Sequence, residues 1–110
     1  MSAQKYEFVV IIPDQADANT RRIGVRQAHL ENVRKLFAEG ILSSGGAYLD
    51  GPIVEGETPS FRGSVVTIIA ESKEQVIEIM KSDPYTTAEV WDWEKAQIFN
   101  FACAVRQAKP

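Results

Sequence analysis

Ser64-Val65-Val66-Thr67-Ile68-Ile69-Ala70 runs without a break into Glu71-Ser72-Lys73-Glu74-Gln75-Val76. The first seven residues are mostly β-branched and almost continuously apolar, the pattern of a strand covered on both faces. Ser72 followed by Gln75 has the spacing of a capping box, so a helix opens there with Val76, Ile77, Ile79 and Met80 on its inner side. A strand that feeds a capped helix is half of a strand-helix unit, and the rest of the chain is read outward from it.

Upstream, Tyr6 to Ile12 is a second β-branched and aromatic run, stopped by Pro13-Asp14. Asp14 to Thr20 is a polar loop. From Arg21 to Glu39 the spacing turns helical, with Val25, Val33, Leu36 and Phe37 near one face, and Gly40 reads as the residue just past the helix end. Ile41 to Leu49 is a strand weakened by Gly45-Gly46, where a bulge or a close backbone approach is expected. Asp50 to Arg62, punctuated by Gly51-Pro52, Gly56 and Pro59, is a flexible connection longer than a hairpin turn.

Downstream, Lys81 and Ser82 close the second helix. Asp83-Pro84 pairs an N-cap with a first-turn proline and starts a short helix toward Trp91. Asp92, Glu94 and Lys95 read as the solvated start of a last strand, Gln97 to Val105. The order β-α-β-β-α-β is the α+β, ferredoxin-like arrangement, expected as one domain over residues 1–110 with its core between about 6 and 105.

Two helices cover one face of such a sheet. Phe99, Phe101, Cys103 and Val105 nevertheless share one side of the last strand, and the Val65–Ala70 run is apolar on both sides. An uncovered apolar face of that size implies a partner, and a homodimer packed sheet face to sheet face is expected.

The 110 residues carry a formal charge of -3, with 45% hydrophobic and 25% charged residues. That composition fits a globular domain and offers no basic field for nucleic acid. No apolar run is long enough to span a bilayer, and Met1-Ser2-Ala3-Gln4-Lys5 leads into a strand pattern without a leader-like apolar stretch. One cysteine, Cys103, forms no internal disulfide and suggests a reducing, cytoplasmic setting.

His29 is the only histidine. On a helical wheel Val25, Val33 and Leu36 lie within about 40° of it, which turns the imidazole toward the sheet. Arg22 projects within about 20° of the same direction and Arg26 within about 60°. An imidazole suits proton transfer near neutral pH, and guanidinium groups suit a carboxylate ligand. The same pattern also fits a packed core histidine flanked by two surface arginines. Asp83 reads first as a helix cap; set near His29, it would also orient the imidazole. Tyr85 adds a hydroxyl to that turn, and Gly45-Gly46 lets a ligand approach the backbone. Trp91 and Trp93 read as core or interface aromatics and Cys103 as inert packing. No metal-ligand spacing, phosphate loop or dinucleotide fingerprint is present, and no cofactor is expected.

The stretches Arg21-Arg22-Ile23-Gly24-Val25-Arg26-Gln27-Ala28-His29-Leu30, Gly40 to Gly45, Gly63-Ser64-Val65 and Glu71 to Glu74 with Asp83-Pro84-Tyr85 resemble the YciI-like (YCII-related) domain family. The sharpest matches are Val-Arg-x-x-His-Leu and Asp-Pro-Tyr. The resemblance implies a dimeric α+β barrel of ferredoxin-like protomers with an antiparallel sheet, and a pocket in which His29 meets Asp83. Related barrels include an isomerase of small organic acids, which implies proton transfer rather than hydrolysis or redox chemistry. Gln27 stands where many members have proline, and Gly45-Gly46 where many have Gly-Pro.

The resulting expectation is a small-molecule enzyme: His29 and Asp83 catalytic, with Arg22, Arg26, Gly45, Gly46 and Tyr85 around a small anionic ligand. The alternative is a metabolite-binding or interaction module on the same barrel. A haem-handling barrel with His29 as axial ligand is a third, weaker reading.

Overall fold

The computed structural model describes residues 3–107. In chain order the elements are β1 (Tyr6–Pro13), α1 (Asn19–Ala38), β2 (Leu42–Leu49), β3 (Phe61–Ala70), α2 (Lys73–Lys81), the one-turn α3 (Pro84–Thr87), a 3-10 turn (Trp93–Lys95) and β4 (Gln97–Asn100). The sheet has the order β2-β3-β1-β4 and is antiparallel throughout. This is the α+β, ferredoxin-like fold expected from the element order.

The period-two pattern of the strands sorts the sheet into two faces. Phe8, Val10 and Ile12 of β1 register with Ile68, Val66 and Ser64 of β3 and are buried beneath the helices. Val76 and Met80 of α2, Tyr85 of α3, and Val90 and Trp91 complete that core, with Val25, Val33 and Leu36 of α1 packed against it. Each large side chain buried there contributes about 1.5–3 kcal/mol. Half of the expected capping box forms at α2: Ser72 Oγ accepts from Gln75 N–H, but Gln75 Oε1 accepts from Glu71 N–H, one residue before the cap, rather than from Ser72. Gly40 ends α1 at φ +76°, the left-handed conformation a glycine takes without strain.

The opposite face is apolar across its middle, where Val65 is 37% and Phe99 52% exposed. Its β2 side is polar. Glu7, Ser43, Ser44 and Thr67 form a hydrogen-bonded seam there, and Arg106 pairs with Glu7. Tyr48 lies over bare Gly63, and a Cβ on that glycine would collide with the ring. The second face thus has an apolar centre with a polar margin.

Several boundaries differ from the sequence reading. The first helix starts at Asn19, without a side-chain cap, because Ala18 rather than a polar residue holds the cap position. β3 starts at Phe61, taking Phe61 and Arg62 out of the connection; the strand is anchored where Arg62 and Ser60 bond Asp50. Register shifts fall between Leu42 and Ser44 and between Tyr48 and Leu49, not at Gly45-Gly46, which pair regularly with Val66 and Val65. β4 stops at Asn100 rather than Val105. Its partner β1 begins at Tyr6, so after Phe101 N–H bonds Glu7 O only one residue of β1 remains to pair. Trp93–Lys95 forms a 3-10 turn capped by Asp92, not a strand start.

Candidate active site

His29 occupies the middle of α1, where Val25, Val33 and Leu36 hold its face of the helix against the sheet. Its side chain keeps 13% of its exposure. The ring stacks on Tyr85 with centroids 3.7 Å apart and planes 9° from parallel, and it meets the edge of Trp91 at 6.0 Å. These contacts leave the imidazole little freedom to turn.

Asp83 arrives from the other half of the fold. The residue before a proline is pushed toward extended backbone, and Asp83 sits at φ −71°, ψ 143°. From there Oδ1 accepts Tyr85 N–H at 2.8 Å, capping α3. The same Oδ1 lies 2.8 Å from His29 Nδ1, and Oδ2 accepts Asn32 Nδ2 at 2.8 Å. The cap and the imidazole share one oxygen. Nδ1 is thereby a donor, and the lone pair of the neutral ring resides on Nε2.

Arg22, expected as a ligand anchor, is instead consumed by the protein. It is buried, its Nη1 contacts both oxygens of Asp14 at 2.7 and 2.8 Å, and its Nη2 donates to Ser64 Oγ at 3.0 Å. Its guanidinium lies over the rings of Tyr85 at 4.6 Å and Phe61 at 4.8 Å. Burial pushes the Asp14 carboxyl up, and the charge of Arg22 offsets part of that. Arg26, by contrast, is exposed and forms no ion pair among the described residues.

A cavity of about 260 Å³ collects these groups, lined among others by His29, Arg22, Arg26, Ser64 and Tyr85. Gly45 and Gly46 also line it; a Cβ on Gly45 would crowd the Val66 side chain, whereas one on Gly46 would meet nothing. At that size it suits a ligand below drug dimensions. Tyr85 is buried, and its phenol is pushed above its ordinary value by that burial, with Arg22 and Arg26 pulling the other way. The hydroxyl therefore stays protonated at neutral pH, and it meets no protein partner among the described residues. Cys103 is half-buried outside this cavity. No group of three metal-ligating side chains occurs among the described residues.

Of the residues singled out from the sequence, His29, Arg22, Arg26, Tyr85 and both glycines line this cavity, and Asp83 reaches it only through its bond to His29. The sequence reading missed Asn32, although a polar residue three positions beyond His29 shares its helix face. It also missed Asp14 and Ser64, while Trp91 lies in the core as read. Asp14 had read as part of a turn, and nothing local marks its pairing with Arg22.

Set beside known proteins, the chain matches the YCII-related domain over residues 6–102. It is similar to fusaric acid biosynthesis protein 2 of Gibberella fujikuroi, 33% identical over 101 residues covering 92% of this chain and 97% of that one. It is also 31% identical over 102 residues to aspercryptin biosynthesis cluster protein B of Emericella nidulans, covering 92% of this chain and 65% of that longer protein. Among solved structures it resembles 5-chloro-2-hydroxyhydroquinone dehydrochlorinase (TftG) of Burkholderia phenoliruptrix AC1100, in complex with 2,5-dihydroxybenzoquinone. That likeness of fold has a TM-score of 0.72 at 22% identity and covers 87% of this chain and 93% of the other.

Proposed function

The chain belongs to the YCII-related domain family, and from that premise we propose that it is a small-molecule enzyme in which His29 is a general base held by Asp83. The observation that carries this reading is an imidazole bonded on one edge to a carboxylate while the residue lines a ligand-sized cavity. In this reading Nε2 takes a proton from a C–H or O–H of the ligand, and the electron pair remains on the ligand as an enolate or phenolate. The proton then returns at another atom, which is isomerisation. Alternatively a leaving group departs with its electron pair as an anion, which is elimination, and the imidazolium releases its proton to water. Asp83 orients the ring and stabilises the charge it gains.

Arg26 replaces Arg22 as the anchor for an anionic ligand, and Tyr85 with Gly45 and Gly46 shapes the pocket. The relatives in biosynthetic clusters and the dehydrochlorinase that shares the fold favour oxygenated ring compounds and small organic acids as substrates. The apolar centre of the open sheet face supports the homodimer, with Val65 and Phe99 inside the interface.

Incubation in D₂O with hydroxylated quinols (5-chloro-2-hydroxyhydroquinone among them), unsaturated acids and lactones, followed by NMR, tests the reading. Deuterium incorporation or halide release is expected, and His29→Ala should slow it by about 10²–10⁴-fold. Turnover that survives both His29→Ala and Asp83→Ala contradicts the assignment. Ligand binding without turnover by the wild-type protein favours a binding module instead.

A further inference from the structure

The Ser64 hydroxyl lies between two groups that only donate. Arg22 Nη2 donates to its Oγ at 3.0 Å and Trp91 Nε1 at 3.1 Å, and neither a guanidinium nor an indole N–H accepts a hydrogen bond. A hydroxyl oxygen has two acceptor positions and one hydrogen. With both acceptor positions filled, the hydrogen is confined to the remaining tetrahedral direction, and among the described residues it meets no acceptor. Ser64 is 2% exposed, so bulk water does not serve it, yet it lines the same cavity as His29. A buried donor without a partner is costly unless something else accepts from it.

We propose that Ser64 is a binding residue of this cavity, locked as a hydrogen-bond donor by Arg22 and Trp91 and aimed at an anionic or carbonyl oxygen of the ligand. The adjacent guanidinium polarises its O–H, and the donor needs no reorientation when charge develops on the ligand, as in an oxyanion hole. Tyr85 lines the same space, and its hydroxyl bonds to no protein group among the described residues. Arg22 is then a positioning residue: its charge is spent on Asp14, and it acts on the ligand through Ser64. This inference rests on reading the cavity as the ligand site. It narrows the ligand class to small rings or acids that carry a phenolate, enolate or carbonyl oxygen.

Calorimetric titration with 4-nitrophenolate and with 4-nitrotoluene, which differ at the oxygen, tests it. Wild type should prefer the phenolate, and Ser64→Ala should lose about tenfold of that preference while binding 4-nitrotoluene as before. Ser64→Thr should restore the preference. Should Ser64→Ala fail to fold by near-ultraviolet circular dichroism, Trp91→Phe decides. It frees one acceptor position on an intact Ser64, unlocks the hydroxyl and should also lower the preference. A preference unchanged in the folded variants overturns the role of Ser64 alone. Failure of wild type to bind either compound overturns the cavity reading with it.

Discussion

Nδ1 of His29 lies 2.8 Å from Oδ1 of Asp83, across 54 residues of sequence, and that same oxygen accepts the N–H of Tyr85. A helix cap and an imidazole clamp are therefore one group. Any change at Asp83 reaches stability and the site together.

Asp83→Ala removes an acceptor from His29, Asn32 and Tyr85 at once. Urea denaturation should show a loss greater than the roughly 1 kcal/mol of a missing cap, because the other donors are orphaned in a buried place. Asp83→Asn keeps an oxygen for the cap and should cost less stability, while activity falls in both variants.

The Arg22–Asp14 pair is buried on both sides, with 4% and 5% side-chain exposure. Removing one partner leaves an uncompensated charge, so Asp14→Ala should destabilise by about 3–5 kcal/mol. Replacing both, as Arg22→Met with Asp14→Leu, should recover most of that loss. Denaturation midpoints of the single and double variants check this.

Glu7 is held below the usual glutamate range, first by the Ser43 hydroxyl and then by Arg106, against the opposing effect of burial. A carboxyl with a lowered folded pKa adds stability above its unfolded value and loses it as pH falls through its folded value. The stability of wild type relative to Glu7→Gln should thus be greatest near neutral pH and shrink on acidification. Paired urea titrations across the acid range measure it.

Phe99 and Val65 are exposed at the centre of the open sheet face. If two copies meet there, Phe99→Glu should shift the protein from dimer to monomer in sedimentation experiments at micromolar concentration. The far-ultraviolet circular dichroism of the protomer should be kept.

The order of elements and the inward turn of His29 were legible because both follow from local periodicity. The Val65–Ala70 run fixes a strand, and residues spaced by three and four from His29 fix a helix face. Asp83 was legible as a cap because Asp-Pro is a local signal. The fate of Arg22 was not. A wheel shows that it points inward, but whether it meets a ligand or Asp14 depends on how β1 ends beside α1. Ser64 was hidden for the same reason, since its donors come from α1 and from Trp91 beyond α3. The end of β4 was misjudged because a strand's length is set by its neighbour, here β1, as much as by its own apolar run.

His29 is the only histidine, so its ring nitrogens can be observed without assignment ambiguity in a long-range ¹H–¹⁵N correlation spectrum. The neutral ring should carry its proton on Nδ1, with Nε2 bare toward the cavity, and Asp83→Ala should release it toward the Nε2–H form. A wild-type protein whose neutral imidazole is protonated on Nε2 would contradict the assignment of His29 as the base.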